Sequence, residues 1–324
     1  MAGHPIRYCT SVEQQKVIVF AAQATTSSGA GHLRRCIRFA QGLNNDYQKY
    51  HVGQVDIGWL VPAKSTVFDS IGDSFSTSTK PLVVIDSYDE VFCRTVVASF
   101  PESQILQVAD RYTPVLEGVW VLWLDFPDGK LFEAYKNRIV ASGIQMMPIP
   151  KIARLNTGFE REAKSVLVTT GGSPSIQVIE SLRMVLSNPE YKKLNFHFLG
   201  KSLSSEESNS NFHYYEPGVA LEQLCYQVDT VITACGTSLW DFLANGFCVG
   251  AIKLVENQSR NFEFVTTSKQ AVPLDLSDSL ELLTNSLDDL FFNVDTRKDL
   301  FAASKSYDFK GVYKFRELIA GFYE

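Results

Sequence analysis

Short apolar runs alternate with stretches of helical spacing along almost the whole chain. The runs over 17–20, 55–61, 82–86, 105–108 and 119–124 are of strand length and rich in β-branched and aromatic residues. Between the first two, Leu33, Ile37, Ala40 and Leu43 share one helical face, which predicts a helix over 34–43. Strands separated by helices predict a parallel sheet with crossover helices on its faces. The pattern breaks over 144–156, IQMMPIPKIARLN, where Pro148 and Pro150 lack backbone donors and favour extended backbone before them. A second series follows, with strands over 165–170, 195–199, 230–234 and 249–255 and helices over 175–187, 220–227 and 239–244. The expected fold class is therefore α/β. Two Rossmann-like domains, residues 1–150 and residues 151–324, are expected to face each other across a cleft with parallel sheets. The tail after Phe291 is charged and aromatic, and is expected to be helical and to pack back across the domain junction.

Composition narrows the function classes. The chain has 324 residues, 45% hydrophobic and 20% charged, which excludes a disordered or collagen-like protein. Thirty basic and 36 acidic residues give a net charge of −6, which argues against broad nucleic-acid binding. No run reaches the ~18 apolar residues of a transmembrane helix, and residues 1–16 show no signal-peptide centre. A cytoplasmic protein is expected, with peripheral membrane contact left open. The six cysteines include no CxxC pair; five of them, Cys36, Cys93, Cys225, Cys235 and Cys248, lie among apolar residues, as buried free thiols do. A structural metal site is not expected.

Four loops that follow strands carry the candidate chemistry. In the first, Gly29-Ala30-Gly31-His32 opens a helix. Glycines let backbone approach a ligand, the helix start favours an anion, and His32 can take a proton near neutral pH. In the second, Thr169-Thr170-Gly171-Gly172-Ser173-Pro174, Ser173 suits an N-cap and the glycines leave room for a phosphate or sugar. The third, Gly236-Thr237-Ser238 followed by Asp241, offers hydroxyls and N–H groups to a diphosphate and a carboxylate to ribose hydroxyls. The bland alternative is that Asp241 only complements the helix dipole. The fourth, Asn257-Gln258, could read sugar hydroxyls or simply be a solvated loop. Each is weak alone; all four fall at the strand ends where open α/β sheets bind ligands. Neither GxxxxGK[ST] nor GxGxxG is present, and Asp86-x-x-Asp89 is not a DxD metal motif. Elsewhere, Trp120 and Trp123 read as core, His197 as structural without an evident partner, and Arg34, Arg35 and Arg38 as a solvated helix face, the alternative being a face toward an anionic acceptor or membrane surface. His213, Tyr214 and Tyr215 read as loop packing, the alternative being a sugar site.

At these residues the sequence resembles the UDP-sugar hydrolase of pseudaminic acid biosynthesis and the related spore-coat-polysaccharide glycosyltransferase-like proteins. These are in turn similar to the enzyme that adds N-acetylglucosamine to lipid-linked peptidoglycan precursors. The matching stretches are the family's GxGHxxRC, here Gly29 to Cys36; D-x-Y, here Asp86-Ser87-Tyr88; the pair Gly171-Gly172; residues 221–246, LEQLCYQVDTVITACGTSLWDFLANG; and Asn257-Gln258. The resemblance spans roughly residues 17–258. It implies the two-domain GT-B fold, with an acceptor and base domain over 1–150 and a nucleotide-sugar domain over 151–324. By that resemblance His32 would be the catalytic base. Gly236, Thr237, Ser238 and Asp241 would hold the nucleotide, Asp241 standing where relatives usually have Glu. Asn257 and Gln258 would lie near the sugar or diphosphate, with Gly29, Gly31, Asp86, Tyr88, Gly171, Gly172 and Ser173 as further substrate contacts. The hydrolase's Phe-Arg-x-Asp-x-Ser is replaced by Phe20-Ala21-Ala22-Gln23-Ala24-Thr25, without the Arg and the Asp. The expected activity is metal-independent glycosyl transfer from a UDP-sugar, in surface polysaccharide or glycoconjugate synthesis, with no cofactor. The acceptor would be a sugar, a lipid-linked sugar or water. UDP-sugar hydrolysis and non-catalytic nucleotide-sugar binding are the alternatives.

Overall fold

The computed structural model describes residues 16–25, 30–56, 66–68, 80–155, 158–171, 176–199, 211–216, 221–307 and 309–324. The first lobe runs β1 (Lys16–Ala22), α1 (Gly31–Gly42), β2 (Tyr47–Val52), β3 (Thr66–Phe68), β4 (Leu82–Asp86), α2 (Glu90–Ser99), β5 (Gln104–Ala109), β6 (Trp120–Trp123), α3 (Gly129–Tyr135) and β7 (Ile139–Ser142). Its sheet has seven parallel strands in the order β3-β2-β1-β4-β5-β6-β7. The second lobe runs β8 (Ser165–Thr169), α4 (Ile176–Leu186), β9 (Asn195–Leu199), β10 (Phe212–Tyr215), α5 (Leu221–Gln227), β11 (Thr230–Ala234), α6 (Thr237–Ala244), β12 (Cys248–Ile252), α7 (Ser259–Thr267), β13 (Val272–Pro273), α8 (Leu280–Phe291) and α9 (Val294–Ser304). Its six parallel strands follow the order β10-β9-β8-β11-β12-β13.

Both sheets are covered on two faces, so their central strands are apolar throughout rather than alternating. Every residue of β4, β11 and β12 is buried. In each sheet the strand order reverses once, between β1 and β4 and between β8 and β11. Loops diverge at such a switch point and leave a crevice beyond the strand ends.

The expected strands at 82–86, 195–199 and 230–234 form over those residues, and the others shift by one to three positions. The strand expected at 55–61 is a correction. The sheet strand is the more polar Tyr47–Val52, Val55 makes only an isolated bridge to Ala24, and residues 57–61 lie outside the described ones. Trp120 is a second correction: it is 44% exposed, while Trp123 is fully buried. The five cysteines named above are buried and free. No helix among the described residues is long and apolar enough to cross a membrane.

The tail does return across the junction. A last helix, α10 (Gly311–Gly321), packs on α1 of the first lobe. Phe315 stacks on Phe39 at 4.1 Å, and the Tyr323 hydroxyl donates to the Val17 carbonyl at 2.5 Å. Gly311 lies so close to the incoming linker that a Cβ there would sit 2.1 Å from the Met147 carbonyl oxygen. The chain therefore passes between lobes twice, at 147–154 and again between α9 and α10, and Gly311 at the start of α10 meets the Met146 and Met147 carbonyls.

Candidate functional site

A cavity of about 600 Å³ lies between the lobes. His32, Tyr88, Asp110, Arg111 and Tyr112 line it from the first lobe. Thr170, Gly171, Gly236, Thr237, Ser238, Asn257 and Gln258 line it from the second. The strand-end loops singled out in the sequence thus share one space. Gly29, Gly172 and Ser173 lie outside the described residues.

The first wall is set by the switch point. His32 opens α1 after β1, and Asp86 ends the neighbouring strand β4. Strand adjacency brings together residues 54 positions apart. The Asp86 Oδ1 lies 2.6 Å from His32 Nδ1, and both groups are buried. Arg35, one turn along α1, donates from Nε to Asp86 Oδ2 at 2.8 Å and from Nη2 to Oδ1 at 2.7 Å. Oδ1 therefore takes two donors, which places Arg35 Nη2 and His32 Nδ1 2.9 Å apart. Burial would push the Asp86 carboxyl up, but Arg35 and then His32 outweigh it and hold it below the usual carboxylate range. An ionised carboxylate at 2.6 Å requires the imidazole proton on Nδ1. In the neutral ring Nε2, on the far side, is then the lone-pair nitrogen, and it has no protein partner among the described residues. Tyr88 meets the His32 ring edge-on at 4.4 Å and donates to Asp110 at 2.5 Å.

The second wall is built from turns. Gly236 ends the loop after β11, and α6 begins at Thr237. The first N–H groups of a helix lack internal partners and carry its positive dipole end. A Cβ placed on Gly31 would lie 3.8 Å from Thr237 Oγ1, so the starts of α1 and α6 face each other directly. The Gln258 side chain accepts from the Leu254 N–H at 2.9 Å through Oε1. Its Nε2 lies 4.0 Å from where a Gly236 Cβ would be. Asn257 is exposed at the rim. Gly171 has φ +86°, a backbone state that favours glycine, and the buried Thr170 hydroxyl has no partner.

Four sequence expectations need correction. Asp86, expected as a substrate contact, is buried with both oxygens taken by His32 and Arg35 and does not line the cavity. Asp241 lines the cleft, but its carboxylate is fully buried and both oxygens are held by Arg38, at 2.9 and 2.7 Å. This ion pair ties α1 to α6 across the lobes, so the carboxylate is not open to ribose hydroxyls. Arg38 and Arg35 are correspondingly not a solvated face: their side chains are 11% and 7% exposed. His197 has partners, Ser165 Oγ at 2.9 Å and Tyr215 OH at 3.0 Å, away from the cleft. Sequence reading missed Arg111 and Arg260, which meet at Asp128 from opposite lobes. Among the described residues no cluster of three or more His, Cys, Asp or Glu could hold a metal ion.

No family model and no curated protein matches the chain. Solved structures do. MurG of Acinetobacter baumannii matches at TM-score 0.60 and 13% identity, over 94% of this chain and 99% of that one. WaaG, a glycosyltransferase involved in lipopolysaccharide biosynthesis, matches at TM-score 0.57 and 11% identity, over 94% and 100%. A UGT transferase from Siraitia grosvenorii, solved with UDP, matches at TM-score 0.57 and 12% identity, over 94% and 99%. With two parallel sheets facing across one cleft over nearly the whole length of each of these proteins, the chain has the GT-B fold.

Proposed function

We propose that this protein is a glycosyltransferase that uses a UDP-sugar in surface polysaccharide or glycoconjugate assembly. One observation carries the reading: the buried His32–Asp86 pair at the start of α1 faces the Gly236-Thr237-Ser238 turn at the start of α6. The similarity to glycosyltransferase structures supports the same class.

In this reading Asp86 fixes the His32 ring with the proton on Nδ1. Nε2 then takes the proton of the attacking hydroxyl as its oxygen bonds to the anomeric carbon. The bond from that carbon to the diphosphate breaks, and UDP leaves with the electron pair. The N–H groups of Thr237 and Ser238, with their hydroxyls, oppose the growing negative charge without needing to reorganise. The unpartnered Thr170 hydroxyl and the loop at Gly171 are placed to receive the sugar or diphosphate. A single displacement of this kind inverts the anomeric configuration.

Thermal shift with UDP and other nucleoside diphosphates tests the donor half. A ligand at 100 times its Kd adds about 2.7 kcal/mol of stability. Stabilisation by UDP or UDP-sugars, with UDP released only when an acceptor is added, is the expected result. Free sugar appearing without acceptor would assign hydrolysis instead. Binding without turnover across a broad sugar and acceptor panel would leave a nucleotide-sugar-binding protein.

A further inference from the structure

The catalytic reading explains Asp86 and His32 but leaves a buried arginine beside them without a task. Arg35 is only 6% exposed and its fork closes on both oxygens of Asp86. A carboxylate that only had to orient the imidazole would need no cation. A lone buried carboxylate 2.6 Å from a histidine also has a second effect: it favours a doubly protonated ring, which cannot act as a base.

We propose that Arg35 is a positioning residue for the base: it locks both oxygens of Asp86 and cancels their charge, so that Asp86 orients His32 without drawing a second proton onto Nε2. The proposal rests on His32 being the base.

Around the cluster of His32, Asp86 and Arg35 stand Cys36 on α1, Tyr88 after β4, Cys93 on α2 and Asp110 after β5. Burial pushes both thiols up, Cys93 to about 12, so neither supplies a charge near neutral pH. Asp110 is engaged by the Tyr88 and Thr113 hydroxyls. Arg34 and Arg111 line the cleft, and Arg111 is paired to Asp125 and Asp128. From across the cleft the neutral Thr237 hydroxyl faces Gly31, and the Asp241 carboxylate is held by Arg38. Among the described residues, Asp86 is the carboxylate bonded to the ring and Arg35 is the cation that answers it.

The experiment follows the His32 imidazole by NMR in isotope-labelled protein across pH, with the signal assigned by its loss in His32→Gln. Variants are Arg35→Gln, Arg35→Lys, Asp86→Asn and the double Arg35→Gln/Asp86→Asn. In Arg35→Gln the His32 midpoint should rise by about one to three units above wild type, the scale of an uncompensated neighbouring charge. Arg35→Lys should return most of that shift, and the double variant should lie near wild type. Asp86→Asn, which leaves Arg35 unanswered, should lower the midpoint. A midpoint unmoved in folded Arg35→Gln overturns the proposal. If Arg35→Gln does not fold, an unmoved midpoint in Asp86→Asn overturns it equally. The NMR titration needs no substrate. In activity assays, the acid limb of kcat/KM should move with the midpoint, so that Arg35→Gln loses more activity at low pH than at high pH. A midpoint that moves while the acid limb stays fixed would retain the charge balance and remove His32 as base.

Discussion

The wall formed by α1 and β4 carries its chemistry on buried ions, whereas the wall formed by α6 carries it on backbone N–H groups and small hydroxyls. In the first the carboxylate is fully paired before any ligand arrives: Asp86 accepts from His32 and twice from Arg35. The second holds donors in reserve, as the start of α6 and the Thr170 hydroxyl show. A proton-moving site needs one defined protonation state, which ions packed out of water enforce. A site for a diphosphate needs donors that are free until it binds, and backbone supplies them without a charge that must be desolvated.

The contrast can be broken or sharpened by substitution. The largest effect is expected from His32→Ala, which should lower kcat by about 10²–10⁴-fold while the Kd for UDP, measured by calorimetry, moves less than about twofold. A large change in Kd with kcat intact would place His32 on the binding side. Next comes Asp86→Ala. It strands Arg35 in the interior and should cost about 3–5 kcal/mol in urea unfolding, in addition to activity. The Asp86 contribution itself is present above pH ~4 and disappears as pH falls through its lowered titration range.

A third effect belongs to the first lobe and not to its site. His51 is buried against Phe20 with both ring nitrogens unpartnered, and burial lowers its pKa to about 4. Unfolded, it binds a proton near pH 6.5. Between those values the unfolded chain holds the extra proton, so stability falls as pH drops from 6.5 to 4, by about 3 kcal/mol at most. In His51→Phe that contribution should vanish from pH-dependent unfolding curves, leaving the similar slope of His197, whose pKa burial also lowers to about 4. The smallest effect is expected on the second wall. Thr237→Ala should weaken UDP binding by about five- to tenfold, roughly one hydrogen bond, and leave the acid limb of activity in place. An acid limb displaced by Thr237→Ala would erase the division of labour between the walls.

How much of this was legible in the chain follows the same division. The α6 turn and the glycine-histidine loop were readable because glycine, hydroxyl and helix-start signals are local. The strands β4, β9 and β11 were readable because short runs of β-branched, aromatic and other apolar residues dominate them. Tyr47–Val52 was not, since Gln48 and Lys49 break the apolar pattern of a strand whose sheet position is secured by β1. Arg35 and Arg38 were misread for a related reason. A charge is expected outside unless it is paired, and their partners lie 51 and 203 residues away. Asp241 was misread with Arg38, because each looked available only while the other was unseen. Trp120 is the reverse case: an apolar neighbourhood in sequence, yet an exposed side chain at the first position of β6.

The returning helix α10 has a mechanical consequence. A single tether would let the lobes swivel, twist and slide. Here two covalent passages run side by side, held in register where Gly311 meets the Met146 and Met147 carbonyls and Phe315 is seated on Phe39. Two such passages resist the twist and slide that one would allow, so the α6 turn and His32 are held opposite each other by the connectivity of the chain as well as by the contacts across the cleft.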